Sequence, residues 1–172
     1  MGNARISIQV DIGFGDVITP EPLWVEYPTI LDNDHPRIRA YTLESAIAEK
    51  YQAMVDLDMA NSRIKDFYDI FFLSEKDSFE GSKLQTAIEQ KFNRRETPLP
   101  NELPAALSGS FAKDDTKIKQ WKAFRDKVSD EEVPDNLYDI IKGVKGFLWP
   151  VSYALANNEN FDQHWEVGVG WK

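Results

Sequence analysis

Four charged side chains, Arg63, Lys65, Asp66 and Asp69, fall within seven residues of the stretch 61–73, NSRIKDFYDIFFL. Around them Ile64, Phe67, Ile70 and Phe71 recur at steps of three and four, the apolar stripe of a buried helix. On such a helix Asp66 and Asp69 share one face beside the stripe, and Lys65 reaches Asp69 at i,i+4. Asn61 or Ser62 supplies a side-chain oxygen to cap the first backbone N–H groups. The chain's net charge of −9 is compatible with a carboxylate site that holds divalent cations. The pattern of these side chains also suits a capped core helix with a solvated charged edge.

The elements upstream must decide between the two. Residues 5–12, RISIQVDI, alternate strictly, with Ile6, Ile8, Val10 and Ile12 on one side, as a half-buried strand does. Asp11 stands on the polar side of that strand, just before the glycine-rich turn Gly13-Phe14-Gly15-Asp16, either as a site carboxylate or as an exposed strand residue. The turn lacks the Gly-Lys-Ser/Thr that would make it a phosphate loop. Residues 19–36 hold four prolines and the turn Asp32-Asn33-Asp34-His35-Pro36, which reads as a hairpin or a long connection rather than a calcium loop. Residues 37–41 form a further short strand.

Thr42 then caps a helix over 42–58, with Leu43, Ala46, Ile47, Met54 and Val55 as its core stripe. Glu49 and Lys50 sit at its centre, where a lysine is ordinarily a surface residue. A connection of about three residues makes this helix and the next antiparallel neighbours. That arrangement brings Lys50 to the charged edge of the second helix, and both helices against the strand carrying Asp11.

A chain of 172 residues is one domain, or one domain with an appendage. No run approaches eighteen apolar residues, so no membrane span is expected, and the first residues lack the apolar core of a signal peptide. The expected compartment is the cytoplasm. The absence of cysteine excludes disulfides, thiolate zinc sites and a cysteine nucleophile, and two histidines in unlike contexts argue against a histidine metal site. A net charge of −9 opposes broad binding to phosphate backbones but leaves room for a local basic patch.

Beyond Pro98-Leu99-Pro100 a proline-rich connection leads to a helix with Ile118, Trp121, Phe124 and Val128. Lys117, Lys119, Lys122, Arg125 and Lys127 accompany them, either as a solvated face or as an RNA-contacting one. The tail alternates Trp165, Val167, Val169 and Trp171, as a late strand or as an apolar strap.

VDIGFGD (10–16), the proline-bracketed connection with Tyr27-Pro28, AYTLESAIAEK (40–50) and SRIKDFYDI (62–70) occur in this order and at this spacing. Together they resemble the C-terminal two-thirds of the AbiEii/AbiGii toxin family of nucleotidyltransferases. The later part is also similar, with a helix carrying Lys83, Leu84 and Phe92, then Arg94-Arg95, a TPLP turn, the 118–128 segment, and a helix over 137–148 that ends at Pro150.

The resemblance implies an α+β fold, a partial DNA polymerase β-like nucleotidyltransferase sheet followed by a mainly helical part. The expected division is a core over 1–97 and a helical part over 98–172 packed on it as one unit. The activity implied is nucleotide transfer from an NTP with Mg²⁺, to an RNA such as tRNA in some members. The setting implied is type IV toxin–antitoxin and phage abortive-infection systems, with a cognate antitoxin. Carried over, Asp11 is a catalytic carboxylate and metal ligand, and Lys50 a catalytic lysine that meets the nucleotide phosphates. Asp66 and Asp69 are catalytic carboxylates, with Arg63 and Lys65 as nucleotide-binding cations. The family's glycine-serine motif and Asp-x-Asp metal pair have no counterpart on a strand here, and Asp56-Leu57-Asp58 has the spacing only at a helix end. The domain is therefore expected to be inactive alone, and an exposed sheet edge to favour a homodimer. The alternative is a non-catalytic binding module that pairs with an antitoxin or a second chain.

Overall fold

The computed structural model describes residues 7–8, 10, 21–30, 34–128 and 133–172. Asp11, the glycine turn after it and Asp32 lie outside the described residues. Of the expected strand over 5–12 only Ser7, Ile8 and Val10 are described, all of them exposed.

Two short strands, β1 (Leu23–Glu26) and β2 (Arg37–Ala40), pair antiparallel with Leu23 opposite Ala40, Trp24 opposite Arg39, Val25 opposite Ile38 and Glu26 opposite Arg37. Opposed residues share a face. One face of this ribbon is therefore Leu23, Val25, Ile38 and Ala40, wholly apolar. The other carries Glu26, Arg39 and Trp24, with the Arg37 guanidinium 5.7 Å from the Trp24 ring centroid.

Helix α1 (Leu43–Leu57) starts where expected, with the Thr42 hydroxyl accepting from the Ser45 N–H. Its buried side is Ile47, Ala48, Tyr51 and Met54, rotated from the expected stripe, and Leu43 is left exposed in the first turn. The rotation follows from the partner: α1 packs on α3 (Gly81–Arg94), with Tyr51 against Phe92 at 5.4 Å between ring centroids. The Tyr51 hydroxyl donates to the Ser152 Oγ at 2.8 Å, which satisfies it in the core.

A 3₁₀ turn (Asp58–Ala60) leads into α2 (Ile64–Lys76). Arg63 occupies the cap position without a side-chain cap, and the Asn61 Oδ1 accepts the Arg63 N–H instead. Ile64, Phe67, Ile70 and Ser74 are buried along α2. Phe71 is only partly buried, and its ring lies across α6 (Leu137–Ala156) at Gly143, where a Cβ would come within 2.6 Å of it.

Helix α6 does not stop before Pro150 as its sequence suggests. It runs to Ala156 because Phe147, Leu148, Val151 and Ser152 are all buried, so tertiary packing outweighs the missing proline N–H. It touches α2, α3, α4 (Gly109–Lys113) and α5 (Asp115–Arg125), so residues before and after position 98 share one core. The tail is a hairpin, β4 (His164–Glu166) and β5 (Gly170–Trp171), joined to β3 (Phe79–Glu80) in a second antiparallel sheet. Trp165 and Trp171 face each other across it and cover Phe147, whereas Val167 and Val169 fall at the exposed turn. The fold is α+β, mainly helical with small antiparallel sheets.

Candidate functional site

Lys50 leaves the middle of α1 and meets the edge of α2. Its Nζ donates to the Asp66 Oδ1 at 2.7 Å and to the Asp69 Oδ2 at 2.8 Å. All three side chains are largely shielded, at 24% (Lys50), 16% (Asp66) and 20% (Asp69) exposure. Lys65 closes on Asp69 from outside at 2.6 Å, and Arg63 stands 3.9 Å from Asp66 with its side chain 62% exposed. Five of the six expected site residues thus converge, and the sixth, Asp11, is outside the described residues.

Why the sequence folds this way is local. The i,i+3 spacing stacks the two carboxylates on one side of α2, and the apolar stripe fixes which side faces α1. Ala46, one turn before Lys50, is too small to fill the space above it. A hollow of about 190 Å³ results, lined by Tyr41, Ala46, Glu49, Lys50, Arg63 and Asp66. Burial alone would lower the Lys50 pKa, but hydrogen bonds to Asp66 and Asp69 and their charges outweigh it and hold the ammonium above its ordinary value. Lys50 is therefore a fixed cation and not a base.

Asp66 and Asp69 do not fit a divalent cation as they stand, since each points an oxygen at the Lys50 ammonium. Among the described residues no group of three or more histidines and carboxylates is arranged to hold a metal ion. Asp56-Leu57-Asp58 is not a metal pair either: the Asp58 Oδ1 accepts the Ala106 N–H at 2.9 Å and ties down a 3₁₀ turn (Ala105–Leu107).

The basic run of α5 is partly structural. Lys117 is buried, donates to the Asn61 carbonyl at 2.7 Å and lies over the Phe111 ring. Arg125 pairs with Asp135 at 2.6 Å, at the rim of a second hollow of about 430 Å³ floored by Ile118 and Trp121.

A family model described as the nucleotidyl transferase AbiEii toxin of type IV toxin–antitoxin systems matches residues 1–157. The chain belongs to the AbiEii family. The match runs from β1 through α6 among the described elements and stops before β4 and β5. No curated protein and no solved structure matches the chain. An AbiEii domain is a nucleotidyltransferase-like toxin domain of a type IV system, which implies an antitoxin partner, an NTP and a divalent cation. The lysine–aspartate cluster lies inside the matched region. No helix among the described residues is long and apolar enough to cross a membrane.

Tyr41, Ala46 and Glu49 line the hollow but lie outside the charged motif that marks it in the sequence. A signal for Tyr41 does exist, since the residue before an N-cap at a strand–helix junction is held close to the helix start. Glu49 is engaged elsewhere, pairing with the buried Lys91 at 3.3 Å.

Proposed function

We propose that this AbiEii domain receives the triphosphate of an NTP at the hollow between α1 and α2. The observation that supports it is Lys50 held between Asp66 and Asp69 at the hollow's edge, with Arg63 exposed beside it. Phosphoryl transfer asks a protein chiefly for positioning and for cations opposite developing charge. Lys50 supplies a point charge, Arg63 and Lys65 supply mobile ones, and Asp66 and Asp69 orient Lys50 instead of touching metal. A divalent cation bound with the NTP is held by the phosphates and by groups other than these two carboxylates. Asp11 stays the first residue to substitute in a search for them.

The setting is cytoplasmic, in a phage-defence toxin–antitoxin pair, with an RNA such as tRNA as acceptor. Tested alone, the chain is expected to bind an NTP without transferring it, because among the described residues no Asp-x-Asp pair stands on a strand. Calorimetric titration with each NTP and Mg²⁺ tests this. Saturable binding lost in Lys50→Ala supports the proposal, and absence of binding to every NTP sinks it.

A second reading is favoured by a separate observation. The ribbon's apolar face is uncovered, with Leu23 at 56% and Ile38 at 39% exposure, and two-stranded ribbons are marginal alone. On this reading the chain is a binding module completed by a second chain, or a homodimer through the ribbon's edge. Light scattering that gives a monomer mass at all concentrations counts against the dimer.

A further inference from the structure

The hollow beside Lys50 is smaller than the roughly 300–1,000 Å³ of sites that enclose a whole small ligand. It has room for phosphate groups, and the rest of a nucleotide must lie against its rim. One rim residue is Tyr41, half exposed at 50%. Among the described residues it stacks on no other ring, and its hydroxyl has no hydrogen-bond partner. Its backbone is nonetheless fixed on both sides, by β2 ending at Ala40 and by the Thr42 cap bonded to Ser45. An aromatic ring carried on a fixed backbone at the mouth of a cationic hollow is matched to a planar base. Every nucleobase has a π-face, and tyrosine loses little rotamer freedom on contact.

We infer that Tyr41 is the stacking platform for the base of a nucleotide whose phosphates lie at Lys50 and Arg63. The inference rests on the nucleotide site proposed above and adds the group that distinguishes a nucleotide from a bare polyphosphate. Stacking on one aromatic side chain strengthens binding by about tenfold. It is tolerant of base identity, so the four NTPs should differ little among themselves. A base at the end of an unpaired RNA offers the same face, so donor and acceptor must be separated by experiment.

The full chain is titrated calorimetrically with inorganic tripolyphosphate, with each NTP, and with a short unpaired oligoribonucleotide lacking a triphosphate. Wild type, Tyr41→Phe, Tyr41→Leu and Tyr41→Ala are compared, with circular dichroism to establish that each is folded. Expected is NTP binding about tenfold tighter than tripolyphosphate. That advantage should be kept in Tyr41→Phe and lost in Tyr41→Leu and Tyr41→Ala, with tripolyphosphate affinity unchanged in all. Equal binding of NTP and tripolyphosphate by wild type overturns the role of Tyr41 and leaves the phosphate site standing. A loss confined to the oligoribonucleotide assigns the ring to an acceptor and overturns it too. If neither NTP nor tripolyphosphate binds wild type, the nucleotide site itself falls, and Tyr41 with it.

Discussion

Replacing Lys50 with methionine keeps most of the stem and removes the charge, which isolates what the ammonium does. In the native protein it neutralises two carboxylates that are mostly shielded from water. Removing one partner of a fully buried pair costs about 3–5 kcal/mol, because a buried charge is left uncompensated. Removing an exposed pair costs less than about 1 kcal/mol. Asp66 and Asp69 fall between, and each keeps a weaker partner, Arg63 at 3.9 Å and Lys65 at 2.6 Å, both largely exposed. Lys50→Met should therefore destabilise by about 2 kcal/mol, a fall in Tm of roughly 4–8 °C for a domain this size. Urea unfolding monitored by tryptophan fluorescence measures it. Adding Asp66→Asn should recover part of the loss, because the orphaned charge is gone, and this double-mutant cycle isolates the pair. A loss below about 0.5 kcal/mol, with no recovery in the double variant, would show that the cluster is a solvated edge. Lys50 would then not be a pre-set cation at the hollow.

The same pair gives a pH dependence. The folded pKa of Lys50 is raised, so its contribution is complete below the unfolded value of about 10.4 and is lost as pH rises through the higher folded one. The stability difference between wild type and Lys50→Met should be flat from pH 7 to about 9.5 and shrink above about 10.5, read by urea melts across that range. Gly81→Ala should cost about 2 kcal/mol or more, since the new Cβ would lie 2.5 Å from the Phe161 ring and 2.7 Å from the Gln163 carbonyl, a backbone atom that cannot turn aside. Thermal melts test it, and an unchanged Tm would show that the tail is not docked on α3. Gly143→Ala should cost about 1–3 kcal/mol by pressing on Phe71, and Phe71→Leu in the same chain should return part of that stability.

Much of the site was legible because its information is local. The spacing of Asp66 and Asp69, the stripe through Phe67 and Ile70, and the Thr42 cap are each fixed within a few residues of sequence, and α1 and α2 form as they predict. The meeting of Lys50 with both carboxylates needed one further step, a short connection between two helices. What was not legible depends on distant partners. Which side of α1 faces inward is decided by α3, far along the chain, where Phe92 meets Tyr51, so Tyr51 is buried and Leu43 is not. Pro150 reads as a stop, yet the core contacts of Phe147 and Val151 carry α6 through it. The alternating tail fits a strand and a strap equally, and it is pairing with Trp171 on one side and with the distant Phe79 on the other that makes Trp165 part of a sheet.

The charges also change rank once folded. By sequence Lys50 is the foremost phosphate contact, a lone cation in a helix. In the fold its ammonium already faces two carboxylates, so an arriving phosphate at Lys50 must also approach Asp66, which repels it. Arg63 has no such burden, standing farther from Asp66, more exposed, and at the mouth of the same hollow. With Lys65 it makes three cations against two carboxylates, which leaves the cluster one net positive charge. An incoming anion therefore meets the guanidinium first, with its planar fork of donors suited to phosphate oxygens. Lys50 fixes the inner end of that path, and its two aspartates keep it from following the ligand out into water.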